Sequence, residues 1–282
     1  MNIFTKHLAA RPSTVLLILF FSLFALPDYA QISPTPAKER LEGIAKRKIL
    51  DQNSLVKNVS FRNVGPTIMS ARVVDLAVNP DDPTEFYVAY ASGVLWYTKN
   101  YGQTFVPLFD NEDAMTIGDI AVDWKTRAIW VGTGEVNSSR SSYAGTGIYL
   151  STDTGKTWTS KGLAESHHIG KIILHPTKEG ILWVAVLGHL YSANPERGVY
   201  KSIDNGNTWK QVLSVDENTG AVDMIINPNN PDLLYTAMWY RERRAWNLIE
   251  SGAGSGIYQS NDGGEKWNKL SGGNSGFPTG EG

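Results

Sequence analysis

The chain has 282 residues, of which 41% are hydrophobic and 19% are charged, and its formal net charge is −2. This balance excludes an intrinsically disordered chain, and the near-neutral charge argues against nucleic acid as a partner. The absence of cysteine excludes disulfides, thiolate metal sites and cysteine nucleophiles. The 27 glycines, 9 tryptophans and 12 tyrosines are typical of short strands joined by tight turns.

The first 30 residues predict a secretory signal peptide. Lys6 and Arg11 precede an apolar run from Val15 to Leu26, and Ala30 supplies a small residue for cleavage. A signal anchor is the alternative, but the run of 12 residues is shorter than the roughly 20 needed to span a bilayer. We therefore expect a secreted, periplasmic or cell-surface protein that has no membrane span after signal cleavage.

Residues 31–57 predict a linker that leads into a short helix. The segment opens with Ser33-Pro34-Thr35-Pro36, which is typical of an extended linker. Apolar residues then recur at helical spacing as a weak stripe formed by Leu41, Ile44, Ala45 and Leu50. The remaining residues, 58–282, predict one domain.

Four copies of one short pattern are the strongest signal in the chain. Three full copies, starting at Ser151, Ser202 and Ser260, share Ser-x-Asp-x-Gly-x-Thr/Lys-Trp, and a degenerate copy starts at Thr98. The starts are 53, 51 and 58 residues apart, which indicates a repeat architecture. The positions that define these Asp boxes are Asn100, Gly102, Phe105, Asp153, Gly155, Trp158, Asp204, Gly206, Trp209, Asp262, Gly264 and Trp267.

Each Asp box predicts a folded hairpin turn. The carboxylate is expected to accept hydrogen bonds from backbone amides one or two residues ahead, and the glycine to supply a positive φ. The aromatic side chain is expected to pack beneath the turn where the next strand begins. Because the carboxylates are used in the turns, we predict that Asp153, Asp204 and Asp262 are structural and not catalytic.

Three strand-like segments precede each turn, so every repeat predicts four strands. In the second unit, for example, residues 116–124 and 127–134 precede the strand that starts after Gly147. Four strands at a period of about fifty residues are typical of a β-propeller blade, with strand one innermost and strand four outermost. The chain therefore predicts an all-β propeller of four four-stranded blades between about residues 60 and 270. Because residues 277–282 resemble a loop leading to another inner strand, we expect an incomplete ring, completed by C-terminal sequence beyond this chain; a closed four-bladed ring is the alternative.

Residues 61–80, 130–158 and 187–209, together with the boxes, resemble the sortilin-like Asp-box (BNR) repeat proteins of bacteria. The resemblance covers residues 60–282 and implies an extracytoplasmic propeller that has more blades than this chain. Eukaryotic sorting receptors of the family bind peptides and protein ligands, whereas bacterial members are often called glycosyl hydrolases because sialidases share the Asp box. The cysteine-rich module of the receptors is absent, so a receptor role is not carried over.

Candidate binding residues lie in the loops that join strands two and three, on the propeller face opposite the boxes. Arginine pairs with carboxylates through two donors and indole offers a flat apolar face, which suits carboxylates, peptides or sugars. The alternative is that these are solvated loops whose charges pair with one another. The candidates are Glu135, Arg140, Tyr143, His189, Arg197, Trp239, Arg241, Arg243 and Trp246.

The leading functional hypothesis is a propeller that binds extracellular protein, peptide or glycan, without a cofactor. Its rival is a glycoside hydrolase of the sialidase or xyloglucanase type, and for the xyloglucanase type Glu135 and Asp119 would supply the carboxylate pair. Phe61-Arg62-Asn63 matches the Phe-Arg-Ile-Pro opening of sialidases only in part, and no catalytic residue is assigned. A purely structural surface protein is a third hypothesis. The adjacent His167 and His168 lack the acidic spacing of a metal centre, so no metal site is predicted.

Overall fold

The computed structural model of the protein describes residues 33–59, 71–137, 142–244, 246–272 and 276. The predicted signal peptide, Arg140 and Phe61-Arg62-Asn63 lie outside these residues. Helix α1 spans Ala37–Asn53, but the predicted apolar stripe does not pack, because Leu41 and Leu50 are exposed. Within the described ranges, no helix is both long and apolar enough to cross a membrane.

The strands form the predicted β-propeller blades. Four antiparallel four-stranded sheets follow one another along the described chain. Blade 1 contains β1 Val73–Val78, β2 Phe86–Tyr90, β3 Leu95–Thr98 and β4 Val106–Pro107, and blade 2 contains β5 Ile117–Asp123, β6 Ala128–Thr133, β7 Ile148–Ser151 and β8 Thr159–Ser160. Blade 3 contains β9 Ile169–Leu174, β10 Leu182–Val186, β11 Gly198–Ser202 and β12 Lys210–Leu213. Blade 4 contains β13 Thr219–Asn227, β14 Asn230–Tyr240, β17 Gly256–Ser260 and β18 Asn268–Lys269, with the hairpin β15 Glu242–Arg243 and β16 Leu248–Ile249 between β14 and β17.

The hydrophobic core lies between neighbouring blades. One apolar cluster joins blades 1 and 2, a second joins blades 2 and 3, and a third joins blades 3 and 4. Strand two of blades 1, 2 and 3 is covered on both faces, which explains why β10 is an unbroken apolar run, Leu-Trp-Val-Ala-Val, with every residue buried. Strand one instead ends where a proline follows, as before Pro80 and Pro176.

The first strands lie against one another, as expected for the inner strands of a propeller. Asp75 Oδ2 accepts a hydrogen bond of 3.3 Å from the Ile120 amide, and Asp119 Oδ2 accepts one of 2.7 Å from the Ile172 amide. Lys171 Nζ lies 2.7 Å from Asp119 Oδ1 and 3.8 Å from Asp75 Oδ2. Burial raises the pKa of Asp119 well above its usual value, although the Lys171 ammonium opposes that shift. Blades 1 and 2, and blades 2 and 3, are thus tied together by a carboxylate on an inner strand.

The Asp boxes form the predicted turns, but their carboxylates bond to residues further along the chain than expected. Asp204 Oδ1 accepts from the Thr208 amide at 2.8 Å and Oδ2 from the Thr208 hydroxyl at 2.6 Å. The carboxylate therefore bonds four residues ahead, not one or two, because the Ser202 hydroxyl bonds to the nearer Gly206 amide at 2.9 Å. These hydrogen bonds hold the pKa of Asp204 down at about 2. The degenerate copy keeps the geometry, since the Thr104 amide donates to Asn100 Oδ1 at 3.0 Å.

Two of the box tryptophans bond their blade to the preceding one. Trp158 Nε1 donates to the Leu108 carbonyl at 2.8 Å, and Trp209 Nε1 donates to the Lys161 carbonyl at 2.7 Å. Both acceptors belong to the preceding blade, so the indole rings do more than pack beneath their own turns. Trp267 differs, because its Nε1 donates to Gly264 of its own box at 3.1 Å.

A second contact between blades 1 and 2 is an ion pair between the buried Glu85 and the partly exposed Arg127. Arg127 Nη1 donates to Glu85 Oε2 at 2.9 Å, and Asn79 and Tyr97 donate to the same carboxylate at 2.7 Å and 2.5 Å. The Arg127 guanidinium is the main reason why the pKa of Glu85 falls to about 2. Glu85 therefore remains ionised far into the acid range.

Gly206→Ala should destabilise the propeller by about 1–3 kcal/mol, because its φ is +72° and a Cβ would lie 2.9 Å from the Trp130 ring. Gly43→Ala is the matched control, since Gly43 lies in α1 with nothing within 4 Å of its Cβ position. We expect this control to be stabilising by up to about 1 kcal/mol. Urea unfolding of both variants checks the difference, and equal effects would contradict the packing described for the box.

Glu85→Gln should lower stability at neutral pH by about 2 kcal/mol, and this difference from wild type should shrink as the pH falls. The folded-state pKa of Glu85 is lowered to about 2, so its contribution is present above the unfolded-state pKa and disappears as the pH approaches about 2. Urea unfolding near pH 7 and near pH 3 measures the change, with the exposed Glu179→Gln as control. A pH-independent difference would show that the ion pair does not stabilise the fold.

Candidate functional site

The loops opposite the Asp boxes form one connected surface, here called the loop face. The Ile169 amide donates to the Gly134 carbonyl at 3.0 Å, and the Leu187 amide donates to the His168 carbonyl at 3.0 Å. The Arg241 amide donates to the Asn218 carbonyl at 2.8 Å. These hydrogen bonds link the two-to-three loops of blades 2, 3 and 4 to the connections between blades.

Glu135 is buried on the loop face and its carboxylate is fully engaged. Arg72 Nη2 lies 2.8 Å from its Oε1, the Asn137 amide donates to Oε2 at 2.8 Å, and the Ser142 hydroxyl also donates to it. Asp119, the other carboxylate of the proposed hydrolase pair, is equally buried and pairs with Lys171. Neither carboxylate is therefore accessible to a sugar substrate.

Arg197 is buried and binds the loops together. Its guanidinium donates to the carbonyls of Asn218 and His189, both at 2.7 Å, and to that of Ser192 at 3.3 Å. Burial lowers the pKa of Arg197 to about 10. The Nη1 and Nη2 groups, which would bind a ligand carboxylate, therefore donate to backbone carbonyls instead.

Arg241 is also buried, and it lies in a polar and aromatic environment. Its Nη1 lies 3.1 Å from Glu250 Oε1, and its guanidinium carbon lies 4.1 Å from the centre of the Trp239 ring. The sequence predicted Trp239 in a loop, but it is part of β14, because Met238-Trp239-Tyr240 continues the ladder opposite Thr219–Ala221. The loop that follows is also ordered as the β15–β16 hairpin, which carries Arg243.

The aromatic candidates divide by exposure. Tyr143 and Trp246 are 64% and 76% exposed, so they present apolar surface on the two-to-three loops of blades 2 and 4. Trp239 instead donates from Nε1 to the Glu250 carbonyl at 2.7 Å. Tyr143 and Trp246 are thus the predicted residues that are best placed to meet a partner.

A cluster of Glu165, His167 and His189 was not predicted as a unit. Their potential ligand atoms lie within 4.8 Å of one another, and the two imidazole rings are 3.8 Å apart, centre to centre. Burial lowers the pKa of His167 to about 2 and also lowers that of His189, so both rings are neutral at physiological pH. His168 points elsewhere, with Nδ1 2.9 Å from the Glu135 carbonyl. The cluster could have been anticipated from the sequence, because the loop between blades 2 and 3 and the loop that carries His189 are expected on the same face.

Helix α1 docks on the same face through polar contacts. The Ala37 amide donates to Glu165 Oε1 at 2.7 Å, and Arg40 donates to the carbonyls of Gly145 and Ala164 at 2.6 Å and 2.7 Å. Further along the helix, Lys48 Nζ lies 3.3 Å from Asp113 Oδ1. The loop face therefore already holds one basic segment of its own chain.

Comparison with known families agrees with the repeat pattern. The Sortilin-Vps10 family, described as sortilin, neurotensin receptor 3, matches residues 146–278. The chain resembles the sortilin-like propellers. No curated protein matches it in sequence.

Solved structures similar to this chain are propellers. An ancestral GH74 enzyme aligns with a TM-score of 0.57 and 18% identity over 75% of this chain and 25% of that enzyme. The GH74 xyloglucanase from Xanthomonas campestris aligns with a TM-score of 0.49 and 19% identity over 69% of this chain and 29% of the other. YCF48 bound to D1 peptide aligns with a TM-score of 0.46 and 16% identity over 74% of this chain and 56% of that one. The chain thus spans about a quarter of the length of the GH74 enzymes, and at these identities the likeness concerns the fold alone.

Arg197→Lys should destabilise blades 3 and 4 by about 1–3 kcal/mol, because one ammonium cannot satisfy three carbonyls that a planar guanidinium bridges. Arg243→Lys is the matched control, since Arg243 is half-buried in the β15–β16 hairpin. Hydrogen exchange at the amides of residues 189–197 and 216–219 should accelerate only in Arg197→Lys. Unchanged exchange there would mean that Arg197 does not organise these loops.

Proposed function

We propose that the protein is an extracytoplasmic binding propeller whose loop face holds a segment of a protein or peptide partner. Transport out of the cytoplasm rests on the predicted signal peptide at residues 1–30. The sortilin-like resemblance supports a ligand-binding propeller, because the sorting receptors of that family bind peptides and proteins. Glycan is the alternative ligand class that the exposed aromatic side chains would accommodate.

The observation that carries this proposal is the docking of α1. The loop face holds this helix with backbone carbonyls and carboxylates, which accept from an amide and a guanidinium. The same kinds of acceptors suit the backbone amides and basic side chains of any peptide. The helix buries little apolar surface, so its contacts are those of a polar, exchangeable interface and not of a core.

Exposed aromatic residues of the loop face supply the second element of a binding surface. Tyr143 and Trp246 combine large apolar area with few rotatable bonds, which is why such residues dominate interface energetics. Buried Arg197 and Arg241 fix the loops that carry or adjoin these rings. The partner would thus meet a rigid platform with two aromatic contacts.

Hydrolysis receives less support from the geometry. A glycosidase needs two carboxyl groups about 5–10 Å apart that flank an open sugar site. Glu135 and Asp119 are both buried, and each is paired with a basic side chain. The GH74 likeness rests on the fold, so it supplies no catalytic residue for this chain.

The proposal is tested with the purified chain on a displayed library of random peptides and on a glycan array. Trp246→Ala should weaken binding of the selected peptides at least tenfold, because loss of a central aromatic contact costs more than about 1.4 kcal/mol. Tyr101→Ala is the matched control, since Tyr101 is 68% exposed but lies in an Asp-box turn on the opposite face. Surface plasmon resonance gives both affinities.

Four results would contradict the proposal. The first is the absence of any selected peptide, and the second is an equal loss of affinity in Trp246→Ala and Tyr101→Ala. The third is retention on the glycan array alone, which would assign the face to sugars. The fourth is turnover of a sialoside or of xyloglucan oligosaccharide, which would assign the protein to the hydrolases.

A further inference from the structure

Several buried polar atoms of the loop face have no hydrogen-bond partner, and His167 Nε2 and Glu196 Oε2 are two of them. His167 is 8% exposed, so leaving its ring nitrogen without a partner costs free energy that the fold does not recover locally. Such an atom indicates that another group completes the site.

Each of the two atoms lies about 4 Å from a side chain of the Glu165, His167 and His189 cluster. His167 Nε2 lies 4.0 Å from Glu165 Oε2, and Glu196 Oε2 lies 3.9 Å from His189 Nε2. Both separations are too long for hydrogen bonds, and the first is longer than the roughly 3.3 Å between two ligands of a tetrahedral zinc ion. A cation between Glu165 Oε2 and His167 Nε2 would supply the missing partner of the ring nitrogen.

We propose that Glu165, His167 and His189 bind one divalent transition metal ion of the Zn²⁺ type. Two imidazoles and one carboxylate form a ligand set that Zn²⁺ and its neighbours in the first transition row prefer over Mg²⁺ or Ca²⁺. The three ligands come from the loop between blades 2 and 3 and from the two-to-three loop of blade 3. The ion would therefore crosslink two segments that are distant in sequence.

The charges around the site favour a divalent cation. Glu165 and Glu196 contribute two negative charges, while Arg40 Nη2, 3.5 Å from Glu165 Oε2, contributes one positive charge. Arg40 also donates to the Gly145 and Ala164 carbonyls, so its guanidinium has partners besides the carboxylate. The net charge before binding is therefore about −1, which a divalent ion converts to about +1.

The surroundings also orient the ligands. His189 Nε2 lies 3.0 Å from the Glu165 carbonyl, an outer contact typical of metal-binding histidines, so Nδ1 is the nitrogen of this ring that would bind the ion. The Ala37 amide holds Glu165 Oε1, which leaves Oε2 facing His167. The Glu165 side chain is 41% exposed, so an ion reaches the cluster from solvent. Three protein ligands leave a fourth position free for water or for a carboxylate of a partner.

The test uses the chain without a polyhistidine tag, stripped with EDTA and dialysed, and then titrated with Zn²⁺ in a calorimeter. We expect one equivalent of Zn²⁺, with His167→Gln and His189→Gln each weakening the affinity at least about tenfold. His175→Gln is the matched control, because His175 lies in the turn after β9, where Nδ1 accepts from the Thr177 and Lys178 amides. Its affinity for Zn²⁺ should equal that of wild type.

A second measurement guards against variants that fold poorly. Zn²⁺ should raise the midpoint of thermal unfolding in wild type and in His175→Gln, but not in Glu165→Gln, whose substituted side chain is partly exposed. Circular dichroism establishes that each variant is folded before titration. The proposal is overturned if wild type binds no Zn²⁺, or if His167→Gln binds as tightly as His175→Gln. It is equally overturned if Zn²⁺ shifts the midpoint of Glu165→Gln as far as that of wild type.

Discussion

The hydrogen-bonded Asp-box turn is the interaction on which the arrangement of the blades depends. In the Asp box that starts at Ser202, one carboxylate bonds to the amide and hydroxyl of Thr208, and one serine hydroxyl bonds to the Gly206 amide. This network fixes the direction in which the next residue, Trp209, leaves the turn. Its indole then donates to Lys161 in the preceding blade. A local turn thus sets a contact between blades, and its repetition generates the propeller.

The two faces of the propeller are stabilised in different ways. On the face that carries the Asp boxes, short turns are held by hydrogen bonds from their own side chains. On the loop face, longer segments are held by hydrogen bonds from side chains of several loops. Arg197 illustrates the second case, because its guanidinium ties three carbonyls of two loops. Buried charged side chains of this kind make the loops rigid but do not contact a ligand. The side chains available to a partner are those that stay exposed on the loop face, chiefly Tyr143 and Trp246.

The sequence predicts the fold well because the signals for it are local. Periodic apolar runs, prolines after the first strands and boxes about fifty residues apart each depend on neighbours in the chain. The site is harder to predict, because burial depends on segments that are distant in sequence. From the sequence, Arg197 is predicted to bind a ligand, whereas in the structure its guanidinium donates to the Asn218 carbonyl. Likewise, His167 is adjacent to His168 in sequence, yet its ring stacks on His189.

Glu165 connects the docked helix with the histidine cluster. Its Oε1 accepts from the helix through the Ala37 amide, and its Oε2 lies between Arg40 and His167. A cation bound at Oε2 would approach the Arg40 guanidinium and oppose its contact with the carboxylate. Two ligands that use one carboxylate in this way are coupled, and the coupling free energy is the same in both directions. A metal ion would therefore loosen the hold on α1 by the same factor by which docking of α1 weakens the metal ion. Since α1 covers part of the loop face, its release would enlarge the surface that a partner can reach.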